Sequence, residues 1–377
     1  MHIAVDAREL GGRPTGVGTY LTRLLDEWAR LPQASVHRWS LYTPEMGSGT
    51  FSRAEMGSGT FLREQLCQTP FSVREVRGRG GTWWEQRALA AALRRDKPDV
   101  LFAPGYTAPL AMRVPVVLTV HDVSFFAHPE WFSRREGLRR RMLTRQSARR
   151  ARLVLTDSEF SRQEILRRVR VPADRVQVIR LGIPPPPVVP AAAFRPLTLL
   201  FVGSILNRRR VPDLVRAFAA LAPDLPEARL ELVGDNRTRP FQDLDALVCS
   251  LGIRDRVAVR SYVSDEVLAR LYSEARAFAF LSEYEGFGLT PLEALAHGVP
   301  VVVLDTPIAR EVYEDAALYV RPGDIEATTA ALRRLLTDAA ARDAQLACAA
   351  RLLPRYSWPD AARATLAAIE RGAACQS

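Results

Sequence analysis

Short apolar runs alternate along this chain with stretches of helical periodicity, and the alternation repeats in both halves. The first half predicts strands at 3–5, 99–102, 116–120, 153–157 and 176–179, with helices at 19–30 and 159–169. The second half predicts strands at 197–202, 229–233, 257–260, 278–281 and 299–304, with helices at 212–222, 241–251, 265–275, 291–297 and 359–371. Strands that alternate with helices indicate parallel sheets covered on both faces. The pattern therefore predicts an α/β protein with two doubly wound domains.

A run of prolines separates the two halves. Pro184 to Pro187, followed by Pro190, form a stiff extended spacer that suits neither a helix interior nor a central strand. We therefore predict a first domain over 1–183, a linker over 184–196 and a second domain over 197–355. Doubly wound domains bind ligands at the carboxyl ends of their strands, so two in tandem predict a ligand cleft between facing sheets.

Composition excludes several classes of protein. Of the 377 residues, 47% are hydrophobic and 25% are charged, which excludes a disordered chain and a fibrous repeat. No apolar run reaches the roughly 18 residues of a spanning helix. Charges at Asp6 and Arg8 come too early for a secretory signal, so we expect a cytoplasmic protein. The four cysteines are too widely spaced for a zinc or disulfide pattern.

Positive charge is concentrated in the first half. Residues 1–190 hold 30 basic and 18 acidic side chains, against 22 and 24 over 191–377, and Lys97 is the only lysine. The excess suggests an anionic partner for the first half. Its densest part is 131–152, where nine arginines surround apolar residues at helical spacing after Trp131 and Phe132. This segment predicts a helix peripherally bound to an anionic membrane surface or, alternatively, a solvated helix face.

Two further features of the first half predict no ligand chemistry. The arginine run lacks the interleaved aromatic residues that stack on bases, so we expect no nucleic-acid partner. A seven-residue sequence at 45–51 recurs at 55–61. Two copies are too few for a repeat fold, and the duplication predicts a loop without chemistry.

The segment 283–294 carries the clearest candidate chemistry. Gly286 and Gly288 allow backbone amides to approach a ligand closely, and the N-terminus of the following helix attracts anions such as a diphosphate. Glu285 before the turn and Glu293 within the helix can face one pocket, where they would accept hydrogen bonds from sugar or ribose hydroxyls. Residues 290–293 also match a capping box with proline at the first helical position, which would give Glu293 a structural role.

Three arginines follow the first strand of the second half. Arg208, Arg209 and Arg210 come directly after a strand and glycine turn, and guanidinium groups bind pyrophosphate bidentately. A solvated basic loop is the alternative interpretation. No DxD-like motif and no histidine or cysteine cluster accompanies these arginines, so we expect neither a metal nor another cofactor.

Taken in order, these motifs resemble the retaining glycosyltransferases of family four, which have the two-domain GT-B fold. The E-x7-E spacing of Glu285 and Glu293 matches that family, and the likeness covers nearly the whole chain. Further matches lie at 6–8, 16–20, 157–161, 202–209, 296–302, 310–312 and 316–320. The segments 119–122 and 125–129 are similar to the mannosyltransferase branch. The resemblance also implies that the closing helix after Trp358 returns, so that 356–377 packs on the first domain.

The resemblance implies roles for individual residues. The catalytic residues would be Glu285, which holds hydroxyls of the transferred sugar, His121, which faces that sugar, and Arg209. The implied donor-binding residues are Gly203, Ser204, Arg208, Arg209, Glu285, Gly286, Phe287, Gly288, Leu289 and Glu293. The implied acceptor-side or cleft residues are Gly16, Val17, Gly18, Tyr20 and Asp122. Arg209 replaces the usual lysine of the family, and Ser204 and Thr19 replace arginines found in some members. A lone histidine is more often structural, which is the alternative for His121.

The implied function is a retaining transfer of a sugar from a nucleoside diphosphate to a glycan or polyprenyl-diphosphate-linked acceptor. The resemblance favours mannose from GDP-mannose, and a UDP-sugar donor is the alternative. The arginines and the helix dipole would stabilise the leaving diphosphate, and the departing phosphate would act as base. A sugar-nucleotide epimerase and a non-catalytic sugar-binding protein stay open. A dinucleotide dehydrogenase is disfavoured, because the glycine-rich turn at 11–18, which follows the first strand, lacks GxGxxG.

Overall fold

The computed structural model describes residues 1–11, 16–45, 70–78, 80–185 and 196–374. Most of the predicted loop repeat, residues 12–15 of the turn at 11–18 and residues 186–195 of the predicted linker lie outside this part of the chain. The chain divides into two compact units. Unit 1 comprises Met1–Gly182 and Ser357–Ser377, and unit 2 comprises Ile183–Tyr356.

Unit 1 contains a parallel sheet with seven strands among the described residues. They are β1 (His2–Asp6), β2 (Arg38–Pro44), β3 (Phe71–Val76), β4 (Val100–Ala103), β5 (Val116–Thr119), β6 (Leu153–Thr156) and β7 (Val176–Val178). Their order is β3-β2-β1-β4-β5-β6-β7, and Ile3 pairs with Trp39 on one side and Val100 on the other. Strands β1, β4 and β5 are buried along their whole length, as expected for a sheet covered on both faces.

Helices flank the sheet of unit 1. They are Gly16–Arg30, Pro32–Ser35, Gly81–Trp83, Ala90–Asp96, Ser124–Ala127, Arg134–Arg150, Glu159–Arg168 and Trp358–Ala374, with a π-helix at Trp84–Leu89. The last helix packs on the first, where Nε1 of Trp28 donates to the Ala362 carbonyl at 2.9 Å. The same indole stacks on Trp39 of β2 with ring centroids 4.9 Å apart. The predicted return of the closing helix to this unit is confirmed.

Unit 2 repeats the architecture with six parallel strands in its described part. They are β8 (Thr198–Val202), β9 (Arg229–Val233), β10 (Val257–Arg260), β11 (Ala277–Phe280), β12 (Val301–Leu304) and β13 (Leu318–Val320), in the order β10-β9-β8-β11-β12-β13. The helices are Val211–Leu221, Leu244–Ser250, Asp265–Glu274, Leu289–Ala296, Pro307–Tyr313, Ile325–Thr337 and Ala339–Leu352. Asp243, Ser264, Asp324 and Asp338 each accept a first-turn amide and so start four of them.

The predicted class of two parallel α/β domains is confirmed, but strands β2, β3 and β13 were missed. Strand β3 lies at a sheet edge and exposes four of its six residues, so it lacks a continuous apolar run. Strand β13 has only three residues. Strand β2 buries Ser40, whose hydroxyl lies 2.8 Å from Nε2 of His2, and this polar pair interrupts the hydrophobic pattern.

Candidate functional site

The loop after β8 brings an arginine against the backbone of unit 2. Gly203 has φ +137°, a conformation that favours glycine, and a Cβ atom there would lie 2.5 Å from Nη1 of Arg209. The residues Asn207–Arg209 form a single 3₁₀ turn before the helix Val211–Leu221. Because Gly203 has no side chain, the Arg209 guanidinium can lie directly over the end of the strand.

Three contacts fix the guanidinium of Arg209. Its Nε donates to Oε1 of Glu285 at 3.0 Å, and its Nη1 donates to the Ser204 carbonyl at 3.0 Å. Its central carbon lies 4.9 Å from the ring centroid of Phe280, a cation–π distance. Within the described residues, Nη2 makes no hydrogen bond. This nitrogen is available to an anionic ligand.

Glu285 is held as a carboxylate. Its Oε1 accepts a second hydrogen bond, from the Ser282 hydroxyl at 2.8 Å, while Oε2 has no hydrogen-bond partner in the described part of the chain. Burial raises the pKa of Glu285, but the charges of Arg209 and Arg208 and the hydrogen bonds from Arg209 and Ser282 outweigh burial and hold this pKa below its usual value. At neutral pH, Oε2 can therefore accept a hydrogen bond from a hydroxyl group.

The third arginine of the run has a different role. Arg210 adopts φ +45° at the start of its helix, and its Nε donates to Asp213 at 2.6 Å. Its Nη1 donates to Glu283, also at 2.6 Å. Two carboxylates thus engage this guanidinium, whereas the sequence pattern grouped Arg210 with the phosphate-binding arginines. We assign Arg210 to the start of the helix Val211–Leu221.

The turn before the helix Leu289–Ala296 corrects one prediction. The N-cap residue is Gly288, at φ +93°, and no side chain caps the helix. The predicted capping box at 290–293 is wrong, because the helix begins before Thr290 and places Pro291 within its first turn. Tyr313 donates to the Gly288 carbonyl at 2.8 Å, and a Cβ at Gly288 would lie 2.2 Å from that hydroxyl. The helix therefore presents first-turn amides without a side-chain cap, which favours anion binding.

The other predicted donor residues lie around the same turn. Gly286 and Phe287 are buried, and the Phe287 ring packs edge-on against Tyr356 with centroids 5.4 Å apart. Glu293 lies further along the helix, where its Oε2 accepts from the Tyr272 hydroxyl at 3.4 Å. The contacts of Glu293 differ from those of Glu285, so the shared pocket of the two glutamates stays a prediction.

In unit 1, both ring nitrogens of His121 have partners. Nδ1 lies 2.8 Å from Oδ2 of Asp157, and Nε2 lies 2.8 Å from the Pro104 carbonyl. Both partners are acceptors, so the doubly protonated ring satisfies both bonds. Burial lowers the pKa of His121, but the charge and hydrogen bond of Asp157 outweigh burial, and the pKa is raised. The predicted contact of His121 with a sugar would require Nε2 to exchange its carbonyl partner.

The remaining acceptor-side residues lie near His121 or at the first helix. Tyr20 packs edge-on against His121 with centroids 4.9 Å apart, and Asp122 accepts from the Ser124 amide at 2.7 Å. Gly16, Val17 and Gly18 form the first turn of the helix Gly16–Arg30. These residues stay predictions for the acceptor side.

Sequence reasoning missed a buried cluster in unit 1 that the structure reveals. One nitrogen of Arg8 donates to both Asp6 and Glu85, each at 2.6 Å. Thr107 donates to the same Glu85 oxygen at 2.6 Å. Burial raises the pKa of Asp6 to about 6, although Arg8 opposes the shift. Asp6 and Arg8 were noted in the sequence, but no local pattern singles out Glu85, which lies in a π-helix.

The predicted basic helix is present as Arg134–Arg150, capped by Ser133. Its single acidic residue is Glu136, which pairs with Arg140 at 2.7 Å. Leu138 and Met142, one turn apart, are 63% and 55% exposed. Across the part of the chain that the structure describes, no helix has both the length and the apolar character needed to cross a membrane.

Two family models and several known proteins are similar to this chain in sequence. Residues 14–185 match the model of Glycosyltransferase Family 4, and residues 191–352 match that of Glycosyl transferases group 1. The O-antigen chain mannosyltransferase B of Escherichia coli is 31% identical over 296 residues, which cover 75% of this chain and 77% of that protein. The GDP-mannose:cellobiosyl-diphosphopolyprenol alpha-mannosyltransferase of Xanthomonas campestris is 28% identical over 249 residues, covering 65% and 64%.

Solved structures share the fold. The crystal structure of HepE from Anabaena, in complex with UDP and glucose, superposes with a TM-score of 0.74. The two sequences are 20% identical, and the match covers 98% of this chain and 100% of that chain. At this identity the likeness concerns the architecture alone.

Proposed function

The chain belongs to glycosyltransferase family 4, and from this premise we propose that it transfers mannose from GDP-mannose to a glycan or a polyprenyl-diphosphate-linked saccharide. As a member of that family it is a hexosyltransferase that retains the anomeric configuration. The names of the Escherichia coli and Xanthomonas campestris relatives support mannose, GDP and a lipid-linked acceptor. A UDP-sugar is the alternative donor.

The pairing of Arg209 with Glu285 carries the proposal. Among the described residues, Nη2 of Arg209 and Oε2 of Glu285 have no hydrogen-bond partner, so one can still donate and the other can still accept. A nucleotide sugar offers the complementary groups, namely a diphosphate for the guanidinium and hydroxyls for the carboxylate. The amides after Gly288 supply further donors for the diphosphate.

The transfer step follows from this placement of charge. The bond from the anomeric carbon to the diphosphate breaks, and the acceptor oxygen forms a new bond to that carbon on the same face. The proton of the acceptor hydroxyl passes to the departing diphosphate. Arg209, Arg208 and the uncapped helix stabilise the negative charge that develops on the leaving group. Because protein groups supply this positive charge, we propose that no metal ion is required.

A donor panel tests the proposal. GDP-mannose, UDP-glucose and UDP-N-acetylglucosamine are compared for thermal stabilisation and turnover in EDTA, with the product anomer determined by NMR. We expect GDP-mannose to stabilise the protein most and to yield an α-linked product. Preference for a UDP-sugar would overturn the donor assignment, and activity restored only by divalent ions would overturn metal independence. Conversion of the nucleotide sugar to its epimer without an acceptor would indicate an epimerase, and binding without turnover would indicate a sugar-binding protein.

We further propose that unit 1 binds an anionic membrane surface through its basic helix and a nearby tryptophan. Trp83 is 71% exposed, and Arg139 of the helix donates to the adjacent Thr82. Leu138 and Met142 are exposed on the same helix among arginines. Exposed apolar side chains among basic ones suit the membrane interface, where each arginine contributes about 1 kcal/mol.

Vesicle sedimentation tests this surface. Wild-type protein should bind vesicles of phosphatidylglycerol and phosphatidylcholine and not those of phosphatidylcholine alone. Combined Trp83→Ser, Leu138→Ser and Met142→Ser should lower the bound fraction at least about fivefold, because three apolar anchors are lost. Val36→Ser is the control, since Val36 is 74% exposed on another part of unit 1. Equal binding by the triple variant, or none by the wild type, would refute the assignment.

A further inference from the structure

The residues 104–107, directly after β4, form a strained turn at the carboxyl edge of the sheet in unit 1. The Thr107 amide donates to the Gly105 carbonyl at 2.7 Å, which makes Tyr106 the middle residue of a γ-turn. Tyr106 has φ +62°, a conformation that is rare for a bulky side chain. Its amide donates to the Thr119 carbonyl at 2.8 Å, which ties the turn to the end of β5. Such strain persists only where the surroundings enforce it, and it concentrates at functional sites.

The strained turn contacts residues that the sequence assigned to catalysis or to the acceptor side. The Pro104 carbonyl lies 2.8 Å from Nε2 of His121. Next to it, Gly105 lies under Val17, whose Cγ1 is 3.0 Å from the position that a Cβ would occupy. The Tyr106 hydroxyl donates to Oδ2 of Asp122 at 3.1 Å. One short segment therefore joins Val17 of the first helix to His121 and Asp122, which lie far from Val17 in sequence.

Tyr106 is also held through its ring. Its centroid lies 5.7 Å from that of His121 and 6.0 Å from that of Phe125, both in edge-on geometry. The Asp122 carboxylate accepts one bond from the Ser124 amide and one from the Tyr106 hydroxyl. A carboxylate has about four lone-pair sites, so Asp122 can still accept hydrogen bonds from hydroxyl groups.

We propose that Tyr106 is a positioning residue for the acceptor saccharide. Its hydroxyl fixes the Asp122 carboxylate so that the remaining lone pairs of Asp122 receive a hydroxyl of the acceptor. The strained backbone keeps the phenol beside both His121 and Asp122. The inference rests on the proposed function, because it requires a saccharide acceptor at this edge of unit 1.

The test is Tyr106→Phe, which removes the hydroxyl and keeps the ring. With GDP-mannose and a panel of p-nitrophenyl hexosides, the variant should raise the acceptor KM about tenfold, because Asp122 loses the charge-assisted hydrogen bond that fixes it for the acceptor hydroxyl. The Kd of GDP-mannose should not change. Tyr42→Phe is the matched control, since it removes a phenol bond of 2.9 Å to Asp96 in the same unit, and it should leave the acceptor KM unchanged.

A double-mutant cycle tests whether Tyr106 acts through Asp122. Asp122→Asn should raise the acceptor KM, and adding Tyr106→Phe should raise it little further, because both changes disable one interaction. An unchanged acceptor KM in Tyr106→Phe, or fully additive effects in the cycle, would overturn the inference. Absence of transfer and of donor hydrolysis by the wild type would instead reject the proposed function, which is a separate result.

Discussion

The carboxyl edges of the two sheets use charged side chains differently. In unit 1, Arg8 joins two carboxylates and both nitrogens of His121 contact acceptors. In unit 2, Arg209 and Glu285 contact each other through one atom each and leave Nη2 and Oε2 without partners among the described residues. At the edge of unit 1, Arg8 and His121 therefore already have partners, whereas the edge of unit 2 can receive a ligand that carries both negative charge and hydroxyl groups.

Net charge does not predict which sheet edge would bind an anion. The first half of the sequence holds the positive excess, and unit 2 is slightly acidic. The densest arginines of unit 1 lie on an outer helix, where Arg134, Arg135, Arg149 and Arg150 are exposed. In unit 2, the proposed diphosphate site consists of two arginines and the uncapped helix Leu289–Ala296. Local geometry thus decides where a phosphate binds, and net charge bears on long-range attraction to surfaces.

The largest expected effect is that of Arg209→Ala. Loss of the guanidinium removes a donor that stabilises the leaving diphosphate, and the loss of one such donor costs about 3 kcal/mol in the transition state. We therefore expect kcat to fall at least about a hundredfold in a radiolabelled transfer assay.

The matched control is Arg216→Ala. Arg216 is a half-exposed arginine of unit 2 that pairs with Asp213 at 2.9 Å. Its loss should leave kcat within about twofold of the wild type, because exposed ion pairs contribute little. Equal activity of Arg209→Ala and the wild type would show that Arg209 does not stabilise the leaving diphosphate, and the contrast between the two sheet edges would then be wrong.

The raised pKa of Asp6 in unit 1 predicts that the stability of the protein depends on pH. The folded-state pKa of Asp6 is about 6, against 3.8 in its reference state, so the folded protein binds the proton more tightly. The contribution of Asp6 to stability therefore falls as the pH rises from about 4 to 6, by up to about 3 kcal/mol. In Asp6→Asn, the free energy of unfolding in urea should fall less over this range. An identical pH dependence in variant and wild type would contradict the assignment.

In unit 2, the contribution of the Glu285 carboxyl to stability should change with pH in the direction opposite to that of Asp6. Its folded-state pKa is lowered, so its contribution to stability is present above the reference pKa of 4.5 and is lost as the pH falls further. Glu285→Gln should therefore flatten the acid limb of the same unfolding curves. A steeper loss of stability at low pH in this variant would show that the sign is wrong.

A smaller effect is expected from Gly203→Ala. The added Cβ would lie 2.5 Å from Nη1 of Arg209 and displace the guanidinium, so turnover should fall about tenfold. Gly252→Ala is the control, because Gly252 also has positive φ but has nothing within 4 Å of the added Cβ. The control should lose stability and keep its turnover. Similar turnover in both variants would show that the close approach at Gly203 is unimportant.

The sequence predicts the repeated architecture because buried parallel strands are short apolar runs such as Val301–Leu304. It also identifies Glu285 and Arg209, since glycine turns after strands are local signals. It does not predict that these two side chains pair, because they are 76 residues apart and meet only through the order of β8 and β11. Likewise, the strain at Tyr106 and the burial of Glu85 depend on distant contacts that no local pattern encodes.

The most direct test of the proposed donor site in unit 2 is a calorimetric titration of the protein with GDP-mannose in EDTA. We expect the wild type and Arg216→Ala to bind the nucleotide sugar with equal affinity, and Arg209→Ala to bind it at least about tenfold more weakly. Failure of the wild type to bind without divalent ions, or undiminished affinity in Arg209→Ala, would contradict a diphosphate site formed by arginine and backbone amides.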